Sequence, residues 1–221
     1  MEKLTIQAPA SDTTPAPSVL ITDSESKAER VWKLIAKRLG RRYASASFDT
    51  YAIEHDAQRT AVEKLREYAG NLRENIGSGK SVFLFGPPGT GKDHLLIPML
   101  KAAVKENLLV RWDDGAEMFG AFRDSMKGTD TEAKLLARYT SPMVLAISDP
   151  VPPFGGLTPY QSSMFFRIID RRYRDMIPTW ITINCKDRKE AEDRMGASIV
   201  DRLGHNALAI SFNWQSYRAK R

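Results

Sequence analysis

The chain has 221 residues, a formal net charge of +6 and an apolar content of 42%. It has no apolar run long enough to cross a bilayer and no recognisable secretion signal, and its single cysteine, Cys185, excludes an internal disulfide framework. We therefore expect a cytoplasmic globular protein with one sizeable core domain, and the basic excess fits either an ordinary solvated surface or a nucleic-acid partner.

The first 42 residues differ in composition from the rest of the chain. Residues 1–26 are rich in Thr, Ser, Pro and Ala, which predicts a disordered tail. In residues 27–42, Val31, Ile35 and Leu39 recur at helical spacing among basic side chains. This pattern predicts a short basic helix, which either docks a partner or packs on the core. Residues 43–221 form the predicted main domain.

Strand-like and helix-like segments alternate through the main domain. A long helix is predicted over residues 57–75, and Pro98 is expected to kink the helix that follows the first strand. Further helices are predicted at residues 116–126, 131–139, 159–174 and 197–203. The strands after the first are predicted at residues 108–112, 143–148, 179–184 and 207–212. Such alternation predicts a parallel sheet covered by helices on both faces.

The first strand leads into a glycine-rich segment, and residues 81–93 read SVFLFGPPGTGKD. An apolar run followed by Gly-x-x-x-x-Gly-Lys before a helix is typical of a phosphate-binding loop, in which backbone N–H groups and a lysine surround the phosphates. The alternative is a plain Gly/Pro turn between a strand and a helix. The residues predicted to bind nucleotide here are Gly86, Pro87, Pro88, Gly89, Thr90, Gly91, Lys92, Asp93 and His94.

Two positions depart from the usual metal-side pattern. Asp93 stands where the loop motif has Ser or Thr, so its carboxylate either binds Mg²⁺ directly or repels the triphosphate. Ser148 stands where the third strand usually ends in the first of two acids, which leaves Asp149 as the remaining acid. Asp93 and Asp149 are the predicted metal ligands, although Asp149 could also simply end a strand in a turn. Relative to the usual motif, a carboxylate is missing at Ser148 and an additional one is present at Asp93, so Asp93 could substitute for the missing acid.

Several further segments resemble one family. They are residues 48–51 (FDTY), 166–173 (FRIIDRRY), 182–184 (TIN), 199–203 (IVDRL) and 212–218 (FNWQSYR). Together with the loop they resemble the AAA+ ATPases of the bacterial replicative-helicase loader family (DnaC-like), which includes IstB-like transposition helpers. The resemblance covers about residues 48–218. It implies an α/β fold, the three-layer sandwich of P-loop NTPases with a mainly parallel sheet.

The resemblance also implies roles for individual residues. Asn184 would be the sensor that hydrogen-bonds the attacking water or the γ-phosphate, and Asp149 would polarise water or hold Mg²⁺. Arg202 would be an arginine finger that reaches the nucleotide of a neighbouring subunit, so self-association is expected. Arg218 would be a second cation near the phosphates. Asp149, Asn184 and Arg202 are therefore the candidate catalytic residues.

The function implied is the use of ATP and Mg²⁺ to load a replicative helicase on single-stranded DNA. The alternatives are an IstB-like ATPase partner of a transposase and a nucleotide-binding adaptor that does not hydrolyse ATP. Residues 118–139 offer aromatic and basic side chains suited to a DNA strand, but the spacing of Phe119 and Phe122 favours a place in the core.

Overall fold

The structure is a computed structural model that describes residues 26–43, 45–125, 128 and 131–220. The predicted tail lies outside the described residues except for Ser26, which caps the first helix by accepting a hydrogen bond from the backbone N–H of Glu29. None of the helices in these ranges has both the length and the apolar character needed to cross a membrane.

The helices follow the predicted order with adjusted ends. They are α1 (Lys27–Leu39), α2 (Asp56–Gly70), α3 (Leu72–Gly77), α4 (Lys92–Lys105), α5 (Gly115–Ser125), α6 (Glu132–Thr140), α7 (Pro159–Arg174), α8 (Arg188–Met195) and α9 (Ala197–Gly204). Short 3₁₀ turns occur at Arg41–Tyr43 and Tyr217–Lys220. The helix α4 continues through Pro98, which is buried.

In the part of the chain that the structure describes, five strands form one parallel sheet. They are β1 (Ser81–Phe85), β2 (Val110–Asp114), β3 (Val144–Ser148), β4 (Thr179–Ile183) and β5 (Ala207–Ser211), in the order β2-β3-β4-β1-β5. The phosphate loop follows β1, so it leaves the sheet beside the ends of β4 and β5. Because all strands are parallel, the residues that follow them meet at one carboxyl edge.

Alternate residues of each central strand enter two separate cores. Leu84, Ala146 and Trp180 pack with α2, α3 and α4 on one face of the sheet. Phe83 and Ile147 pack with α5 to α9 on the other face. Helices therefore cover both faces of the sheet, and the predicted three-layer α/β fold is confirmed.

The basic helix α1 packs on the core rather than extending from it. Ile35 and Leu39 are buried against Ile97 and Val104 of α4. Arg38 donates to the carboxylate of buried Asp113 and to the main-chain oxygen of Trp112. Of the two interpretations of this helix, packing on the core is therefore the one observed. The exposed side of α1 stays available for the predicted docking of a partner.

One predicted helix was wrong in its extent, one helix was not predicted, and one prediction about the core is confirmed. The long helix expected at residues 57–75 is two helices that divide at Asn71, next to Gly70, which has little helix preference. The helix α8 was missed because its sequence, RKEAEDRM, shows almost no apolar periodicity. Phe119 and Phe122 are buried in the core, as expected from their spacing, and cannot stack on a DNA base without leaving it.

Candidate nucleotide site

The phosphate loop is shaped by glycines that no larger residue could replace. Gly91 begins α4 in the left-handed region at φ 89°, and a Cβ there would lie 2.5 Å from the ring of Tyr51. A Cβ on Gly86, at φ 145°, would lie 2.3 Å from the main-chain oxygen of Phe212. A Cβ on Gly86 would clash with backbone and one on Gly91 with the Tyr51 ring, so the loop is fixed by its neighbours as well as by its own turns.

Two aromatic side chains hold the loop from outside. The Tyr51 hydroxyl and the Trp214 indole each donate to the main-chain oxygen of Thr90 at 2.9 Å. The Thr90 hydroxyl in turn donates to the main-chain oxygen of Pro87 at 2.9 Å. Neither Tyr51 nor Trp214 was predicted to contribute to the site, although both lie in segments that carry the family resemblance.

Lys92 is the buried cation of the site. Its side chain is 5% exposed, and Nζ donates at 2.8 Å to the main-chain oxygens of Gly86 and Pro87 and to Oδ1 of Asn184. Burial lowers the pKa of Lys92, while the carboxylates of Asp149 and Asp93 act in the opposite direction. All three of these acceptors are uncharged, so phosphate oxygens would be stronger partners.

The two departures from the usual motif meet in space. Ser148 Oγ donates to Asp93 Oδ1 at 2.9 Å, and Thr182 Oγ1 donates to the same oxygen at 2.8 Å. The Trp112 indole donates to Ser148 Oγ at 3.0 Å. Asp93 is therefore anchored by two strand residues, one from β3 and one from β4.

Asp149 follows β3 in a strained backbone conformation. Its φ is 44°, which is uncommon for a residue with a side chain, and its N–H donates to the main-chain oxygen of Thr182 at 2.9 Å. Its Oδ1 is buried and has no hydrogen-bond partner among the described residues. Burial, and then the nearby charge of Asp93, raise the pKa of Asp149 to about 6. A strained residue with a buried, unpaired oxygen is typical of a functional position.

Asn184 follows β4 and links Lys92 to a neighbouring loop. Its side-chain oxygen accepts from Lys92, and its main-chain oxygen accepts from Arg194 of α8 at 2.8 Å. Arg194 also donates to the main-chain oxygens of Pro152 and Gly155. The loop after Asp149 is therefore joined to the end of β4 by Arg194, a residue that the sequence analysis did not single out because α8 was not predicted.

These groups line one open cavity of about 250 Å³. Lys92, Asp93, Asp149 and Asn184 form one wall, and Arg218 and Tyr217 from the end of the chain form another. His94 also lines it; its Nε2 lies 3.0 Å from the Thr50 hydroxyl, and burial lowers its pKa. Tyr43, Tyr51 and Ala52 line the cavity as well, so the segment before α2 reaches the site.

Arg202 lies at the opposite edge of the sheet. It lines a separate pocket with Ser81 and Thr179, the first residues of β1 and β4. Its Nε donates to Asp170 at 2.9 Å and its guanidinium lies 4.8 Å from the ring centre of Phe166. The partner is therefore Asp170 rather than adjacent Asp201. Gly86, Pro87 and Thr90 belong to the loop at the cavity without lining it, whereas the candidate Arg202 lines a different pocket altogether.

The side chains at the cavity fit a divalent cation bound together with phosphates. Asp93 and Asp149 supply carboxylate oxygens, and the unpaired Oδ1 of Asp149 lacks a partner that a cation would provide. Within the described ranges, no group of three or more His, Cys, Asp or Glu side chains could hold a metal ion by itself. One or two carboxylates plus substrate phosphates is the usual arrangement for Mg²⁺.

Comparison with known proteins agrees with this geometry. The family model described as IstB-like ATP binding protein matches residues 24–221. The replicative helicase loader DnaC of Buchnera aphidicola (strain APS) is 30% identical over 201 residues, which cover 88% of this chain and 78% of that protein. The DnaC of Escherichia coli K12 is 30% identical over 187 residues, covering 80% and 71%.

A mobile-element protein and several solved structures are also similar. A putative ATP-binding protein of insertion sequence IS232 from Bacillus thuringiensis is 26% identical over 147 residues, covering 64% of this chain and 56% of that protein. A crystal structure of the DnaC helicase loader superposes with a TM-score of 0.69 at 26% identity, covering 78% of this chain and 99% of that one. AMPPCP-bound DnaA from Aquifex aeolicus, at 21% identity and a TM-score of 0.64, shares the fold.

Proposed function

The chain belongs to the IstB-like ATP-binding family, and we propose that it binds ATP with Mg²⁺ at the carboxyl edge of its sheet and uses ATP to place a replicative helicase on single-stranded DNA. The observation that carries the nucleotide site is the position of Lys92, which is buried among uncharged acceptors beside two carboxylates. The DnaC relatives support the helicase as partner, and the net charge of +6 supports a DNA strand.

In this proposal the β- and γ-phosphates replace the acceptors that Lys92 now has. Lys92 would turn from two main-chain oxygens of the loop and from Asn184 to the phosphate oxygens, and Asn184 would then be released to hydrogen-bond the attacking water or the γ-phosphate. Arg218, at the rim, would add a second positive charge. For Lys92, the exchange replaces neutral acceptors by charged phosphate oxygens.

Asp93 and Asp149 would hold the divalent cation. When bound, that ion would neutralise charge on the phosphate oxygens during transfer to water. In the alternative role, Asp149 would leave the cation to Asp93 and polarise the attacking water with its buried Oδ1, which has no hydrogen-bond partner among the described residues.

A titration tests the nucleotide site directly. We expect the protein to bind a non-hydrolysable ATP analogue in the presence of Mg²⁺ and to lose most of that affinity in the Lys92→Met variant. The matched control is Lys105→Met, on the exposed end of the same helix. Equal affinity in the two variants would contradict the site, and an absence of binding in the native chain would contradict the whole proposal.

Hydrolysis in trans requires a second copy of the chain. Arg202 cannot serve the cavity of its own chain from the opposite edge of the sheet, so we propose that it completes the site of a neighbour. Arg202→Ala should bind nucleotide yet hydrolyse it slowly, whereas Lys92→Met should fail to bind it. Mixing the two inactive variants should restore part of the turnover, because one supplies the site and the other the guanidinium.

The control for this mixing experiment is Arg174→Ala, which also removes a partner of Asp170 but not the proposed finger. It should hydrolyse ATP at the native rate. If the mixture of inactive variants stays inactive while each is folded and associates with the other, Arg202 has no role in trans.

The exposed side of α1 is the proposed contact for the helicase. Leu34 is 69% exposed there, among basic residues. Deleting the helix would remove Ile35 and Leu39 from the core, so Leu34→Ser is the cleaner variant. We expect it to retain nucleotide binding and to lose retention on immobilised helicase, with Lys105→Ser, on the exposed end of α4, as the control.

The IS232 relative favours a second candidate, an ATPase partner of a transposase. The same retention assay with a transposase in place of the helicase separates the two. Retention by the transposase alone would favour the second candidate. A chain that binds nucleotide and partner without turnover, with or without single-stranded DNA, would instead be a non-hydrolysing adaptor.

A further inference from the structure

The two unusual residues of the metal side lie in direct contact, although they are far apart in the sequence. Asp93 is in the first turn of α4 and Ser148 is the last residue of β3, and the Ser148 hydroxyl donates to Asp93 Oδ1 at 2.9 Å. Asp93 carries the carboxylate that is expected at position 148, and Ser148 carries the hydroxyl that is expected at position 93. The site thus keeps one hydroxyl and one carboxylate across this contact, in exchanged places.

The surrounding hydrogen bonds fix the direction of this contact. The Trp112 indole is a donor only, so its bond to Ser148 Oγ occupies a lone pair and leaves the single Ser148 proton for Asp93. Thr182 Oγ1 donates to the same Asp93 oxygen at 2.8 Å. Two donor paths therefore converge on Asp93 Oδ1, one from Trp112 of β2 through Ser148 of β3 and one from Thr182 of β4.

We propose that Asp93 and Ser148 are a reciprocal exchange that preserves the metal-binding capacity of the site, with Ser148 and Thr182 as positioning residues for the Asp93 carboxylate. This inference rests on the proposed nucleotide site. Both hydrogen bonds to the Asp93 side chain in the described part of the chain end on Oδ1. Its second oxygen, Oδ2, is the one that these donors leave for a cation.

The opposite view is that each departure independently weakens the site. The two views differ in what single and double substitutions do. Asp93→Ser leaves two hydroxyls in contact and no carboxylate between them. Ser148→Asp brings two carboxylates together, with Asp149 close by, so that like charges repel. The double variant restores one hydroxyl and one carboxylate in the opposite places.

The experiment compares the native chain with Asp93→Ser, Ser148→Asp and the double variant. Mn²⁺ serves as the probe ion, and its binding is followed by electron paramagnetic resonance in the presence of a non-hydrolysable ATP analogue. We expect Asp93→Ser to weaken Mn²⁺ binding by about tenfold or more and the double variant to return to within about threefold of the native chain, whereas Ser148→Asp, which adds a carboxylate, should not weaken it. Ser141→Asp, an exposed position at the amino edge, controls for an added carboxylate.

A second readout needs neither metal nor nucleotide. The midpoint of urea unfolding in EDTA should fall in each single variant and recover in the double variant, because the contact of Ser148 with Asp93 exists in the protein alone. Thr182→Val should lower Mn²⁺ affinity by a smaller factor, about threefold, since Ser148 still holds the same oxygen.

The outcomes separate this inference from the proposed function. A double variant that binds Mn²⁺ as weakly as Asp93→Ser, with an unfolding midpoint lowered by the sum of the two single losses, would overturn the exchange while leaving the nucleotide site intact. A native chain that binds no ATP analogue in either EDTA or Mn²⁺ would overturn the proposed function itself. Recovery in the double variant supports the exchange.

Discussion

Two buried cations lie at opposite edges of the sheet, Lys92 at the carboxyl edge and Arg172 at the amino edge. Lys92 is 5% exposed and Arg172 is fully buried, and both donate to main-chain oxygens. Arg172 bonds the Thr179 hydroxyl and four main-chain oxygens, those of Tyr139, Thr140, Pro142 and Pro178. In each case burial lowers the pKa of the cation.

The surroundings of the two cations differ more than their burial does. Arg172 is enclosed by the end of α6 and by the turns before β3 and β4, and its donors are used within the protein. Lys92 faces a cavity with Asp93 and Asp149, and the Oδ1 of Asp149 has no hydrogen-bond partner among the described residues. A buried cation with satisfied partners indicates a structural role, whereas one beside unsatisfied groups at a cavity indicates a ligand.

The strongest test of this difference is the removal of Arg172. We expect Arg172→Met to lower the free energy of unfolding by about 4 kcal/mol, because several buried main-chain oxygens lose their donor at once. Urea unfolding followed by circular dichroism measures it. Arg171→Met, which removes only an exposed pair with Asp175, should change stability by less than about 0.5 kcal/mol.

Removal of Lys92 should instead weaken nucleotide binding more than it lowers the free energy of unfolding. We expect Lys92→Met to weaken binding of an ATP analogue by about 100-fold, or about 2.7 kcal/mol. The free energy of unfolding of the nucleotide-free protein should fall by less than about 2 kcal/mol, because water in the open cavity can replace Nζ on its three acceptors. Calorimetric titration and urea unfolding give the two numbers. A loss of stability as large as that of Arg172→Met would mean that the two cations have the same role.

The pH dependence of stability sharpens the comparison at Asp149. Its pKa is raised from an ordinary value of 3.8 to about 6 in the folded protein, so the folded state holds this proton more tightly than the unfolded state. The contribution of protonated Asp149 to the free energy of unfolding is therefore fully present below pH 3.8 and is lost as pH rises through about 6. In EDTA, Asp149→Asn should be more stable than the native chain by about 2 kcal/mol at pH 7.5.

The advantage of Asp149→Asn should disappear on acidification toward pH 4, where native Asp149 is itself protonated in the folded state. Urea unfolding of both proteins at a series of pH values measures this difference. Asp175→Asn, at an exposed position, is the control. A stability difference that does not change with pH would show that Asp149 is not the group whose ionisation destabilises the fold.

The smallest expected effect concerns the donors that hold the loop. Tyr51→Phe removes the hydroxyl that donates to the Thr90 oxygen but leaves the donor from Trp214. We expect a loss of about 1 kcal/mol in stability and a severalfold loss of nucleotide affinity. Thermal unfolding and analogue titration measure the two. A variant with native affinity would show that Trp214 alone fixes the loop.

Local patterns in the sequence determined much of the fold and part of the site. The strands, their alternation with helices and the phosphate loop follow from apolar runs and glycine positions that lie within a few residues of one another. Where the local pattern was weak the prediction failed, as at Gly70 beside Asn71, where a helix divides, and at α8, whose apolar periodicity is slight.

Tertiary structure alone decided how the site residues meet. The contact of Asp93 with Ser148, the bond of Lys92 to Asn184 and the position of Arg202 at the far edge depend on the strand order β2-β3-β4-β1-β5. That order brings together strand ends separated by tens of residues, and no periodicity within one segment encodes it. The sequence could therefore indicate which groups bind a nucleotide, while the packing of the sheet determined which of them hold one another in place.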